Sequence, residues 1–326
     1  MSELPPLKLV IVIPAWNEEQ EIGQVIAQIH SSLPATTSYM VVVIDDGSTD
    51  RTVITAHQAG AEVVSLAGHC GLGVAFQRGV DEALTRGADV MVTIDADGQF
   101  DASDIPKLTD PIIKGQADVV TASRFKDPAL TPKMPGAKIW GNRQIAKLIT
   151  RVGRQTIADA SCGFRTYSRS ALMNLNLFSR YTYTHESLLS LMFKGFRIME
   201  IPVVVHGSRQ NGDSRIAHNL WTYGFHMTHT VFRTVLDYWP LRVFGGFGIG
   251  LFLLGLLLEL WLLIHLLITG ALTPYKFIGF IGLGLNVVGS LFIVIGLIAD
   301  MLNRIRITQE RTLTIAKRHR YDQSSP

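Results

Sequence analysis

Asp95 and Asp97 stand one residue apart in the run Asp95-Ala-Asp-Gly-Gln99. Two carboxylates at that spacing, leaving a strand, project the same way and can share a hard divalent cation such as Mg²⁺ or Mn²⁺, which in turn neutralises phosphate oxygens. Gln99 can add a further oxygen. Three more polar clusters precede this one: Pro14-Ala-Trp-Asn-Glu18, Asp45-Asp-Gly-Ser-Thr-Asp50 and Gly68-His-Cys-Gly-Leu-Gly73. Any one of them is compatible with turn chemistry or helix capping, because Asn17, Ser48, Asp50 and Ser103 are all competent N-caps. Four together point to a binding site.

The elements around these clusters explain how they would meet. From Leu7 to Ser123, short β-branched runs (7–14, 39–45, 61–66, 89–95 and 117–123) alternate with segments of helical periodicity (18–31, 50–59, 72–86 and 103–114). Such alternation predicts an α/β domain with a mainly parallel sheet covered by helices. Ligands of these sheets bind outside the carboxyl ends of the strands, and each polar cluster follows a strand. A dinucleotide site would also place an acid where Asp46 stands, but it requires a glycine-rich turn after the first strand. Pro14-Ala-Trp-Asn-Glu18 contains no glycine, which leaves a nucleotide diphosphate held through a metal.

Composition adds a membrane. Of the 326 residues, 47% are hydrophobic and only 17% charged, against roughly 25% charged in an ordinary soluble domain. The excess lies in two runs, 243–268 with Glu259 as its one formal charge and 277–299 with none, each longer than the ~20 residues that cross a bilayer. The short connector makes them a hairpin. Basic residues cluster before the first run (Arg233, Arg242) and after the second (Arg304, Arg306, Arg311, Lys317, Arg318, Arg320), while the connector carries only Lys276. The positive-inside bias then predicts both termini in the cytoplasm. The net charge of +3 divides into a basic tail over 301–326 and a slightly acidic remainder. Cys70 and Cys162 are too few for a disulfide scaffold and fit a reducing compartment. Ahead of the hairpin, His218, Thr222, His226, His229 and Arg233 form one polar stripe on an otherwise apolar segment, which predicts a helix lying in the membrane interface. Within the spans, Glu259 and His265 are costly in hydrocarbon and should face protein or water, with Asn286 available as a partner. The Gly246-xxx-Gly250 spacing permits close helix approach.

With these residues in view, the chain resembles glycosyltransferase family 2 and its GT-A fold. Ile11-Val-Ile-Pro-Ala-Trp-Asn-Glu-Glu19 is similar to the family's opening strand and nucleotide loop, Asp45-Asp-Gly-Ser48 to its base-binding loop and Asp95-Ala-Asp97 to its metal motif. Ser161-Cys-Gly-Phe-Arg165 resembles its acceptor-side segment. Arg209-Gln-Asn-Gly-Asp-Ser-Arg215 resembles a loop of the branch that makes polyprenyl-phosphate sugars, the dolichol-phosphate-mannose-synthase-like enzymes. The resemblance implies that Pro14, Trp16 and Glu18 with Asp46 surround base and ribose, and that Asp95, Asp97 and Gln99 hold the metal and diphosphate. It implies that Arg124, Arg165, Arg209 and Arg215 handle phosphate groups, with Arg143 as a further candidate, consistent with the bidentate fit of guanidinium to phosphate. Trp16, Cys70 and Arg215 replace the Tyr, Asn and Lys often found at those positions. Glu186, beside His185 on an expected helix, is either catalytic or structural.

The expected organisation is a GT-A catalytic domain over 1–215, an interfacial helix over 216–240, a transmembrane hairpin over 241–300 and a basic cytoplasmic tail over 301–326. The expected activity is inverting transfer of a sugar from a UDP- or GDP-linked donor to a polyprenyl phosphate. Partners would be the membrane and further copies of the chain, not nucleic acid. Two rivals stand beside this reading. A processive polysaccharide synthase of the same family would carry an Arg-Trp pair in its acceptor motif and usually more spans, and here no tryptophan follows an arginine. A non-catalytic nucleotide-binding membrane scaffold would not need Asp46, Asp95 and Asp97 together.

Overall fold

The computed structural model describes residues 7–34, 37–131, 134, 136–177, 183–205, 232–233, 235–236 and 238–322, with the backbone alone at 137 and 138. The chain divides into two compact units, one built from residues 1–231 and 313–326 and the other from 232–312.

In the first unit, strands β1 (Leu9–Ala15), β2 (Tyr39–Asp45), β3 (Glu62–Ser65), β4 (Val90–Thr93) and β5 (Val119–Ser123) alternate with helices α1 (Ile22–Ser32), α2 (Thr52–Gln58), α3 (Leu72–Thr85) and α4 (Ile105–Ile113). These agree with the predicted elements to within a few residues. Beyond them lie α5 (Gly136–Gly153), β6 (Arg165–Ser168), α6 (Arg169–Met173), α7 (Thr184–Phe193) and β7 (Ile198–Pro202). The sheet order is β3-β2-β1-β4-β6-β5-β7, with β6 antiparallel to both neighbours and the other pairs parallel.

Burial on both faces explains why β1 reads as an unbroken apolar run: all seven of its residues are buried. Ile11 and Ile13 join α1 and α4 on one face, while Val10 and Val12 meet Phe76 and Val80 of α3 on the other. β6 reads differently because it begins with Arg165 and is only four residues long, leaving no apolar alternation to detect.

The second unit holds a π-helical turn, Leu241–Gly245, running into α8 (Gly246–Thr269), and the first part of α9 (Lys276–Asp322). Both helices are long and apolar enough to cross a membrane. Their seam differs from the predicted one. Gly246 and Gly250 face open space, whereas a Cβ on Gly248 would lie 2.6 Å from the Gly289 carbonyl and one on Gly282 would lie 2.9 Å from the Gly255 carbonyl. Backbones this close exclude side chains, so glycines at sevenfold spacing on each helix, 248 and 255 against 282 and 289, form the contact. Glu259 and Asn286 line that seam, Glu259 against Gly282 and Asn286 against Gly255. His265 is elsewhere, stacked on Trp261 and edge-on to Tyr275.

The basic tail also departs from expectation. Rather than a separate segment from 301, it continues α9 to Asp322, and its last turns belong to the first unit. There Tyr321 is buried among Phe76, Val80 and Leu84, Lys317 Nζ donates to the Leu175 carbonyl at 2.9 Å, and Arg169 donates to the Tyr321 carbonyl at 3.1 Å. An anchoring aromatic residue and two capped carbonyls account for the docking. The predicted interfacial helix over 216–240 falls almost wholly outside the described residues.

Candidate active site

The loops after β1 and β2 are tied to one another by side-chain oxygens that accept backbone N–H groups. Asn17 N donates to Ser48 Oγ at 2.9 Å, Thr49 N to Asn17 Oδ1 at 2.8 Å, and Glu18 N to Thr52 Oγ1 at 2.8 Å. Asn17 adopts a positive φ of 54°, which asparagine tolerates better than most residues. Asp50 fixes the start of α2 by accepting from Thr52 N at 3.0 Å. Burial pushes its carboxyl up, but the hydrogen bonds from Thr52 and Glu19 outweigh this and leave it below the usual range. Ser103 does not cap a helix: its own N–H is accepted by Asp101 at 2.8 Å.

Asp46 is 3% exposed. Its two oxygens accept Cys70 N at 2.7 Å and Gly71 N at 2.9 Å, and His69 Nδ1 lies 2.9 Å away. The acid expected to touch base and ribose thus also holds the loop that opens α3. Gly47, next to it, has φ +75°, and a Cβ there would strike the Gly68–His69 peptide at 2.6 Å, so only glycine lets the two loops meet. His69 stacks on Trp16 with ring centroids 4.1 Å apart, building an aromatic platform that leaves Trp16 partly exposed. Pro14 is buried within β1.

Asp95 and Asp97 leave the end of β4 half-buried, and Gln99 N donates to Asp97 Oδ1 at 3.2 Å. Across from them, Gly163 presses against Asp95: a Cβ at Gly163 would lie 2.6 Å from either carboxylate oxygen. Tyr183 OH donates to the Gly163 carbonyl at 3.0 Å, and burial followed by the nearby Asp95 charge holds its phenol well above the ordinary value. Among the described residues no three His, Cys, Asp or Glu side chains converge as a closed metal site. Two hard oxygen donors with open positions are the set that suits Mg²⁺ or Mn²⁺ shared with phosphate oxygens, and so the residues present fit such a cation.

The same Ser161–Gly163 loop reaches the arginines. Arg124 grips Asp159 bidentately, Nε to Oδ2 at 2.7 Å and Nη2 to Oδ1 at 2.8 Å, and Nη2 also donates to Ser161 Oγ at 2.7 Å. Ser161 Oγ donates onward to Asn142 Oδ1 at 2.9 Å. Asp159 is fully buried. Burial pushes its carboxyl up, yet the Arg124 guanidinium prevails and holds it below the usual range. Asp159 is itself fixed from β7, where the Glu200 carboxylate accepts Ala158 N and Asp159 N, each at 2.8 Å.

Arg165 departs from the predicted role. It is 0% exposed, and its guanidinium donates to the Thr184 carbonyl at 2.7 Å, the Ala160 carbonyl at 2.9 Å and Ser187 Oγ at 2.9 Å. A side chain enclosed in this way pins the 160 loop to α7. Beside it, burial and then the Arg165 charge lower the His185 imidazole to about 3, leaving it neutral. Glu186, the next residue, lies half-buried in the first turn of α7. Burial also raises the Cys162 thiol to about 12, which makes it inert. Arg143 is exposed on α5, and Arg209 and Arg215 lie outside the described residues.

This sequence and this fold are matched by known proteins. The glycosyl transferase family 2 model matches residues 10–175, just over half of the chain. The chain belongs to glycosyl transferase family 2. Its relatives include the dodecaprenyl-phosphate galacturonate synthase of Rhizobium johnstonii, 26% identical over 98% of this chain and 94% of that protein. Another is the dolichyl-phosphate hexose transferase of Haloferax volcanii, 33% identical over 62% of this chain and 85% of its own. Among solved structures, glucosyl-3-phosphoglycerate synthase from Mycobacterium tuberculosis, in complex with Mn²⁺, UDP-glucose and phosphoglyceric acid, superposes with a TM-score of 0.56. It is 22% identical and is covered over 79% of its length by 70% of this chain. The GT-A fold of the first unit and its glycosyltransferase class are thereby established.

The sequence left Asp159, Glu200, Asn142 and His69 unassigned. Asp159 stands two residues before the Ser161 motif, the one local signal that was available. Glu200 is distant in sequence and shows itself only through the sheet.

Proposed function

We propose that this family 2 enzyme transfers a sugar from a nucleotide diphosphate sugar to a polyprenyl phosphate, with inversion at the anomeric carbon. One observation carries the reading: a single short loop, Ser161–Gly163, touches the Asp95 carboxylate at one end and the Arg124 guanidinium at the other. Donor-side acids and an acceptor-side cation are therefore neighbours. The whole-length likeness to a dodecaprenyl-phosphate synthase, extending through the two apolar helices, supports a lipid acceptor.

In this reading Trp16 and His69 offer the base a stacking surface, and Glu18 faces the ribose from the loop that Ser48 and Thr52 fix. Asp95 and Asp97, with Gln99, would hold Mg²⁺ or Mn²⁺. When bound, that cation supplies positive charge to the departing nucleoside diphosphate. A phosphate oxygen is already anionic at neutral pH, so the acceptor needs positioning rather than deprotonation, and no general base is required. Arg124 provides that positioning, with Arg209 and Arg215 from the following loop. Asp159, Glu200 and Arg165 act one step removed, as positioning residues.

The α/β unit and both termini are cytoplasmic in this proposal, on the strength of the basic residues flanking the two apolar helices. The test is incubation of membranes containing the protein with a panel of radiolabelled UDP- and GDP-sugars and one polyprenyl phosphate, followed by lipid extraction. Label in the lipid fraction from one donor is expected. Absence of labelled lipid with every donor would refute the proposal.

A further inference from the structure

Helix α5, Gly136–Gly153, contains no acidic residue, and the cations Arg143, Lys147 and Arg151 recur along it at fourfold spacing. Arg154 follows directly. At 3.6 residues per turn Arg143, Lys147 and Arg151 share one face with Trp140, opposite the buried Ala146, Ile149 and Val152. All four cations are exposed, and none is within ion-pair distance of a carboxylate among the described residues. Trp140 is 66% exposed and Leu148 is 41% exposed.

Elsewhere in this unit several exposed cations are each answered by an acid: Arg78 by Glu82, Lys114 by Asp110 and Arg197 by Asp118. The α5 face, by contrast, carries positive charge without such a partner, together with an exposed tryptophan. Beside it lies a cavity of about 400 Å³ whose rim is Arg143, Lys147 and Arg151 and whose floor is Phe125, Ala146 and Ile157. Cations around an apolar floor match an amphiphile with an anionic head, and a basic helix with an exposed aromatic matches the boundary between headgroups and acyl chains.

We infer that α5 is a docking surface for the anionic face of a lipid bilayer. The occupant is the membrane rather than a protein partner, because the same chain carries two helices able to span one, which keeps a bilayer at high local concentration. Charge complementarity then selects the face: each basic residue near an anionic surface contributes about fivefold in binding. Docking would hold the Arg124–Ser161 cluster, which adjoins the cavity through Phe125 and Ala158, at headgroup height. The inference does not depend on which sugar or lipid is processed.

The test uses the full chain in nanodiscs. On a Cys70→Ser background, Leu148→Cys carries an environment-sensitive fluorophore, and the discs contain phosphatidylcholine alone or with about 30% phosphatidylglycerol plus a headgroup-attached quencher. Quenching should be strong in the anionic discs, several-fold weaker in neutral discs, and reduced to the neutral level by Lys147→Glu with Arg151→Glu. An unchanged thermal midpoint in the charge-reversal variant shows that its fold is intact. An unquenched label in anionic discs, or quenching that survives the charge reversal, would overturn the inference.

Discussion

The proposed donor and acceptor edges of the α/β unit are built from opposite materials. At the donor edge, acids are held by backbone N–H groups: Asp46 takes those of Cys70 and Gly71, and Asp50 takes that of Thr52. At the acceptor edge a buried acid, Asp159, is spent on a cation, Arg124, and a second acid, Glu200, holds the first by its backbone. The consequence is electrostatic. Amide-anchored acids leave the donor edge negative and ready for a cation, while the paired acid lets the acceptor edge keep a guanidinium oriented. Gly163 separates the two at the closest approach that a backbone allows.

Breaking the donor edge should cost most. Asp97→Asn is expected to lower kcat/KM on the order of 10³-fold, with no change in thermal midpoint, since a half-exposed acid supports chemistry more than packing. Initial rates across a Mn²⁺ titration check this, and a variant with full activity would remove the carboxylate pair from the mechanism.

Asp159→Asn comes next and should act the other way round, on folding first. Breaking this pair, whose acid is fully buried, should cost about 3–5 kcal/mol, so the thermal midpoint should drop by roughly 10 °C. Scanning fluorimetry measures it. A stable Asp159→Asn variant would mean that Arg124 is not held as described.

Trp16→Ala sharpens the donor side. Loss of a base-stacking surface is worth about 1–3 kcal/mol, so the donor KM should rise roughly tenfold while the acceptor KM is unchanged, and Trp16→Phe should restore most of the loss. Equal effects on both substrates would place Trp16 outside the base site.

The smallest effect is a pH slope at the acceptor edge. His185 titrates near 6.5 when unfolded and about 3 when folded, so the unfolded state binds the extra proton between those values. Stability from the neutral imidazole is complete above pH 6.5 and declines as pH falls, by about 1 kcal/mol at pH 5.5. His185→Gln should flatten the fall in thermal midpoint between pH 7 and 5.5 relative to the parent, and an identical slope in both would discard the assignment.

Much of this was legible in the chain alone. β1, β2, α3 and the Asp95/Asp97 exit could be read because β-branched runs and loaded turns are local patterns. β6 was not, since an antiparallel insertion of four residues led by a buried arginine has no periodic signature. Of the arginines expected to act on phosphate, Arg124 is partly exposed and paired with Asp159, whereas Arg165 is enclosed by carbonyls. Their residue type is the same, and only the direction of the side chain distinguishes them.

The alternating α/β domain, the carboxylate pair at the end of the fourth strand and the two apolar helices are all written in the linear order of residues. These follow from short-range periodicity and composition. Tertiary structure decided which glycines form the helical seam, that Asp46 braces the β3–α3 loop, that Glu200 orders Asp159, and that the tail returns to the sheet through Tyr321. Those choices depend on which atoms from distant segments arrive within 3 Å of each other, a distance that no local pattern encodes.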